Sequence, residues 1–273
     1  MTTLKLGAMA PLEEGPEEAL KKVRDFGLPT CQVTCWQRDL LTPEMADRLA
    51  EASETYGVEV TTIWTGLPGP AVWNFVEGPV TIGLVPPEYR EARVATLKEG
   101  AEFAARMGAP GITTHVGFIP ENMTDPLYPG VVDALQGVVR YCADRDLDFW
   151  FETGQETPVV LLRVIEALAM DNVGINLDPA NLLMYGKANP VDALDVIGTF
   201  VRGVHAKDGE YPTNGRELGV EKPLGEGRVD FPALVPKLKG LGYTGALTIE
   251  REISGPRQVA DIRHAIDVLS ALV

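Results

Sequence analysis

Short apolar runs alternate with longer amphipathic segments along the whole chain, and this alternation constrains the fold more than any other feature. The runs are Leu4–Ala10, Thr30–Trp36, Val58–Trp64, Gly111–Val116, Asp148–Glu152, Val173–Asp178, Val201–Lys207 and Gly245–Glu250. Helical patterns follow them at Pro16–Phe26, from Thr42-Pro43-Glu44 onward, and at Pro87–Gly108, Pro129–Asp146, Pro158–Met170, Pro190–Phe200, Phe231–Leu241 and Arg257–Leu272. Strands separated by helices are expected to run parallel, because a helix carries the chain back across the sheet. Eight such units in 273 residues, with no linker or shift in composition, predict one α/β domain over residues 1–273. Its natural form is a closed (β/α)8 TIM barrel, which typically needs about 250 residues.

One connection breaks the rhythm. After the third strand comes GLPGPAVWNFVEGPVTIGLVPPE, a Gly/Pro-rich stretch at about residues 65–87. Loops of this length in compact domains usually carry function, so a lid is expected here. Trp73 and Phe75 would wall a ligand or, more plainly, pack on the barrel rim.

A net charge of −15 argues against nucleic acid as the ligand, since phosphate recognition wants Lys and Arg. The three cysteines, Cys31, Cys35 and Cys142, are an odd number and read as reduced thiols in a cytoplasmic protein. No window approaches the roughly 20 apolar residues of a membrane helix, and no signal-peptide pattern opens the chain.

Four strands end in groups that can ligate a metal: WFE at Glu152, GINLD at Asp178, VRGVHA around His205 and ALTIE at Glu250. Side chains alternate across a strand, so faces can be told apart by stepping in twos. Asp178 then shares a face with Asn176 and Gly174, His205 with Gly203, and Glu250 with Thr248 and Ala246. The aliphatic Ile175, Leu177, Val204, Leu247 and Ile249 fall on the other face, towards the helices. All four candidates lie at C-terminal strand ends, where barrel enzymes carry their sites. A lone carboxylate there would read as a solvated group or helix cap, and a lone histidine as a hydrogen-bonded core residue. Three carboxylates and an imidazole together need a cation to be buried. The oxygen-rich set favours Mn²⁺ or Mg²⁺, with Co²⁺ and Zn²⁺ also compatible.

Further candidates surround this set. His115 has the inward parity of Thr113 and would contact substrate or sit as a satisfied core histidine. Lys207 shares the face of His205 and would bind an anionic or hydroxylated substrate, or pair with Asp208 or Glu252. Trp36 and Trp64 end strands where an aromatic can stack on a sugar, and Trp64 is the one assigned to substrate. GEG at Gly225–Gly227 reads as a turn, and Walker, dinucleotide, HExxH and GxSxG patterns are missing.

The pieces FETGQETP, GINLDPAN, VHAKDG, PLGEGRVDF and LTIERE, spread from Phe151 to Glu252, resemble the sugar isomerase/epimerase superfamily of xylose-isomerase-like barrels. Ketose 3-epimerases are the nearest functional analogues, with inosose dehydratases and hydroxypyruvate isomerases as cousins. The resemblance implies that Glu152, Asp178, His205 and Glu250 bind the metal and that Glu152 and Glu250 double as acid and base. The implied function is a sugar or cyclitol isomerase or epimerase that removes a proton beside a carbonyl to give an enediolate. Loss of a β-leaving group from the same enediolate would make it a dehydratase instead. The endonuclease IV-like repair branch is disfavoured, because its metal centre is rich in histidine and this chain has three.

Two positions depart from the epimerase pattern. Asn181 stands where a substrate-contacting His follows the metal Asp by three residues, and Pro158 stands where a second carboxylate is usual. The family also places an Arg after the strand-seven His; Arg216 fits that place best, Arg228 competes, and either could be a solvated loop charge. Related barrels often pair through their helical faces, so a homo-oligomer is compatible with this reading.

Overall fold

The computed structural model describes residues 3–273. Its strands are β1 (Lys5–Pro11), β2 (Thr30–Cys35), β3 (Glu59–Thr65), β4 (Gly111–Thr114), β5 (Asp148–Glu152), β6 (Val173–Leu177), β7 (Val201–Ala206) and β8 (Ala246–Ile249). They follow one another around a closed ring, each parallel to its neighbours, and β8 pairs with β1. The expected (β/α)8 barrel is the observed fold. Ile175, Leu177, Val204, Leu247 and Ile249 join the apolar shell against the helices. Fully burying a leucine such as Leu49, Leu97 or Leu247 contributes about 1.5–3 kcal/mol.

Local chemistry sets where the helices begin. A capping side chain followed by proline opens four of them: Thr42-Pro43, Thr157-Pro158, Asp178-Pro179 and Asn189-Pro190. In each the cap oxygen accepts from a backbone N–H of the first turn, and proline occupies a position whose N–H would be unsatisfied anyway. Pro158 therefore starts a helix, which accounts for the missing carboxylate there.

Several boundaries differ from the sequence expectations. β4 stops at Thr114, so His115 and Val116 lie in the loop above it. The helix expected over Pro129–Asp146 spans Tyr128–Ala143, because the chain turns at Asp146 with φ 56°. Short helices at Gly78–Thr81 and Pro179–Met184 were not legible as separate elements. Nor was the antiparallel pairing of Asp208–Gly209 with Glu221–Lys222.

The long excursion after β3 is tied down from below. Arg93, in the helix Pro87–Met107, is buried and donates to the carbonyls of Pro68, Pro70, Thr81 and Gly83 at 3.0, 2.8, 2.8 and 2.6 Å. Arg90 does the same for Leu84 and Val85. No helix among the described residues is long and apolar enough to cross a membrane. Cys31, Cys35 and Cys142 are free and buried, and burial pushes each thiol up to about 12.

Candidate active site

Glu152 closes β5, Asp178 follows β6, His205 lies near the end of β7, and Glu250 follows β8. One ligand atom from each falls within 4.8 Å of the others. Nδ1 of His205 is 2.8 Å from Oε2 of Glu250, 3.0 Å from Oε1 of Glu152 and 4.0 Å from Oδ2 of Asp178. Among the described residues, His205 Nδ1, Asp178 Oδ2 and Glu250 Oε2 are buried and have no hydrogen-bond partner. Buried polar atoms are seldom left so, and three converging ones fit a cation between them.

Asp178 illustrates how the chain builds this geometry. It caps the helix Pro179–Met184, its Oδ1 accepting from the N–H of Asn181 at 2.9 Å. Its main chain is pinned by Thr153, whose hydroxyl donates to the Asp178 carbonyl and accepts from its N–H. The cap occupies one carboxylate oxygen and leaves Oδ2 for the shared centre.

The electrostatics point the same way. Burial pushes Asp178 up, and the carboxylates of Glu250 and Glu152 add to that, so it lies well above the usual range. Burial alone would push His205 down, but Glu152 and Glu250 outweigh it and hold the imidazole well above its ordinary value. For Glu152 and Glu250 burial is outweighed by neighbouring cations, chiefly His205 for the first and Lys207 with His205 for the second, and both lie below the carboxylate range. Three carboxylates gathered around His205 favour positive charge between them, which a divalent ion supplies.

The residues assigned to substrate fall into two groups. His115, Asn181, Lys207 and Trp64 border a cavity of about 860 Å³ that Glu152 and Glu250 also line. His115 Nε2 is 3.8 Å from Glu152 Oε1, and burial pushes its pKa down. Lys207 is buried and sits 3.0 Å from Glu252, one of the two carboxylates expected as an ion-pair partner, with Asp178 and Glu250 at 3.6 and 3.7 Å. Trp64 is only 5% exposed and donates to Glu152, whereas Trp36, stacked on it at 4.7 Å, is 50% exposed at the cavity mouth. Trp73, from the long excursion, lines the same mouth.

Arg216 stands apart. It is exposed on the loop after β7, and its main-chain carbonyl accepts from Phe75 N–H at 2.9 Å. The GEG turn is filled from within, since Asp208 accepts from the N–H groups of Gly225, Gly227 and Val229.

Residues 20–272 match the protein family described as xylose isomerase-like TIM barrel. The chain belongs to that family. A xylose isomerase domain protein from Planctomyces limnophilus is 35% identical, with 98% of this chain and 97% of that one covered and a TM-score of 0.93. Two more distant structures share the fold. The 3-keto-D-glucoside 4-epimerase of E. coli is 19% identical, with 98% of this chain and 100% of that one covered and a TM-score of 0.72. The probable 3-DHS dehydratase of Bacillus anthracis is 16% identical over 97% of this chain and 99% of that one, with a TM-score of 0.72.

Within this xylose isomerase-like barrel, sequence reasoning passed over three buried polar residues beside the site. Gln32 Oε1 accepts from His205 Nε2 at 2.8 Å, and Asn176 Nδ2 donates to Glu152 Oε2 at 3.2 Å. A long polar side chain inside the buried run TCQVTC was the available signal for Gln32. Asn176 had the inward parity but no role. Glu156 is buried with Oε2 unpartnered among the described residues, and nothing in its spacing marked it.

Proposed function

We propose that this protein is a divalent-metal-dependent isomerase or epimerase acting on a keto-sugar or cyclitol. The observation that carries this reading is the convergence of His205 Nδ1, Asp178 Oδ2 and Glu250 Oε2, unpartnered among the described residues, beside Oε1 of Glu152. These four side chains would hold the ion, and Mn²⁺ is the one proposed. When bound, a divalent ion there supplies Lewis acidity that makes a C–H beside a carbonyl acidic.

The chain's own groups do the rest. Glu250 reaches the site from β8, borders the cavity with its side chain 14% exposed, and sets Oε2 beside His205 Nδ1 at 2.8 Å. It is placed to take a proton from carbon. Glu152 reaches in from β5, so a sugar ring seated between them meets a carboxylate from either strand, and one returns the proton that the other removes. Asn181 and His115 offer polar atoms to hydroxyl groups, and the Lys207 ammonium offers a donor to an oxygen that gains negative charge. Trp36 and Trp73 present faces suited to the C–H side of a sugar, with the excursion at 65–87 acting as a lid. The named substrate of the E. coli epimerase, a keto-sugar, supports this class. The protein is taken to be cytoplasmic, with a small-molecule sugar as its partner.

A dehydratase is the second reading. Lys207 lies 3.7 Å from Glu250, where an ammonium could protonate a departing hydroxyl, and one structure of this fold is named a dehydratase.

The test is a panel of keto-sugars and cyclitol ketones incubated with Mn²⁺ in deuterated water and followed by NMR. The expected result is metal-dependent deuterium at one carbon with the sugar otherwise intact. Loss of a hydroxyl would select the dehydratase, and turnover untouched by chelation would overturn the metal-dependent reading.

A further inference from the structure

We infer that Gln32 and Asn176 are positioning residues that fix which nitrogen of His205 meets the ion; this rests on the metal reading above. The two amides form one chain of hydrogen bonds across the barrel interior. Asn176 Nδ2 donates to Glu152 Oε2 at 3.2 Å, Gln32 Nε2 donates to Asn176 Oδ1 at 2.8 Å, and Gln32 Oε1 lies 2.8 Å from His205 Nε2.

The polarity of the chain follows from its carboxylate end. An ionised carboxylate only accepts, so Asn176 must turn its NH₂ to Glu152 and its carbonyl to Gln32. Gln32 must then turn its NH₂ to Asn176 and its carbonyl to His205. Nε2 of His205 therefore carries a proton, and in the neutral ring the lone pair is left on Nδ1, the atom at the centre of the site. Flipping either amide would set donor against donor and acceptor against acceptor at a fully buried place. Gln32, Asn176 and His205 are all essentially fully buried.

The backbone makes room for this crossing. A Cβ on Gly203 would fall 2.4 Å from Asn176 Oδ1 and 3.1 Å from Gln32 Nε2. The strand registers shift beside both residues: between Cys31 and Gln32 the pairing skips Thr61 of β3, and between Ile175 and Asn176 it skips Arg202 of β7. Such irregularities re-aim side chains in barrels, and here the second brings Gly203 opposite Asn176.

The test is calorimetric titration of Mn²⁺ into the metal-free wild type, Gln32→Met, Asn176→Leu and the double variant, with melting temperatures measured in chelator. Each single change is expected to weaken Mn²⁺ binding roughly 10–100-fold. The double variant is expected to lose little more than the worse single one, because both act through one chain. A purely structural role would lower the melting temperature and leave the affinity of the folded protein alone. Should Gln32→Met not fold, Gln32→Glu keeps the acceptor for His205 but opposes Asn176, so its affinity is expected to fall between those of the wild type and Asn176→Leu. Wild-type affinity in the Gln32 variants, or losses that simply multiply, would overturn the relay alone. A wild type that takes up no Mn²⁺ would overturn the relay and the metal reading together.

Discussion

The indole N–H of Trp64 donates to Oε2 of Glu152 at 2.5 Å, and the Asn176 amide reaches the same oxygen at 3.2 Å. Glu250 meets no indole or amide donor among the described residues, and its Oε2 lies 2.8 Å from His205 Nδ1. The two carboxylates proposed for proton transfer thus differ in freedom, one held from β3 and β6, the other open to the cavity. Trp64→Phe keeps a smaller aromatic side chain but removes the donor. A hydrogen bond to a charged group contributes about 1.5–3 kcal/mol, so turnover on the substrate found by deuterium exchange is expected to fall about ten- to hundredfold. The melting temperature of the metal-free protein should change little. Unchanged turnover would show that the clamp is dispensable.

Arg93 organises the long excursion rather than the site itself. Its guanidinium donates to four carbonyls of the loop, at Pro68, Pro70, Thr81 and Gly83. Arg93→Met should destabilise the fold by about 3 kcal/mol or more, since buried carbonyls lose their partners. Urea unfolding checks the magnitude, and limited proteolysis should cut between residues 66 and 86. Protection equal to the wild type would mean the loop is held elsewhere.

Glu156 gives the fold a pH dependence of its own. Burial pushes its carboxyl up to about 8, Glu152 adds to the rise, and Lys187 opposes it. Between its ordinary value of 4.5 and about 8 the native state holds a proton that the unfolded chain releases. The stability it contributes is therefore full below pH 4.5, wears away as pH rises, and is gone above about 8. Unfolding of the wild type and Glu156→Gln in chelator, compared across that window, should show the wild type losing ground by on the order of 1 kcal/mol per pH unit. Parallel curves would contradict the buried neutral carboxyl.

Much of this was legible in the chain because the barrel imposes simple rules. Period-two alternation placed Asn176, Gly203 and Thr248 inward, and strand ends marked Glu152, Asp178, His205 and Glu250. Contacts that cross the barrel were not legible. Gln32 meets His205 over 173 positions of sequence and Trp64 meets Glu152 over 88, and no local pattern encodes which inward residues touch. Trp64 was given to the substrate because a strand-end aromatic suits stacking, yet its N–H serves a carboxylate and the exposed face belongs to Trp36. The fate of Arg216 depended on the path of a loop, which spacing does not determine.

The central claim is that four side chains from four neighbouring strands grip one ion. Anomalous diffraction from crystals soaked in Mn²⁺ tests it most directly. The expected map has a single strong peak bounded by Glu152, Asp178, His205 and Glu250, lost in His205→Ala. A map with no peak there, or with manganese bound elsewhere while these side chains keep only one another for company, would contradict it.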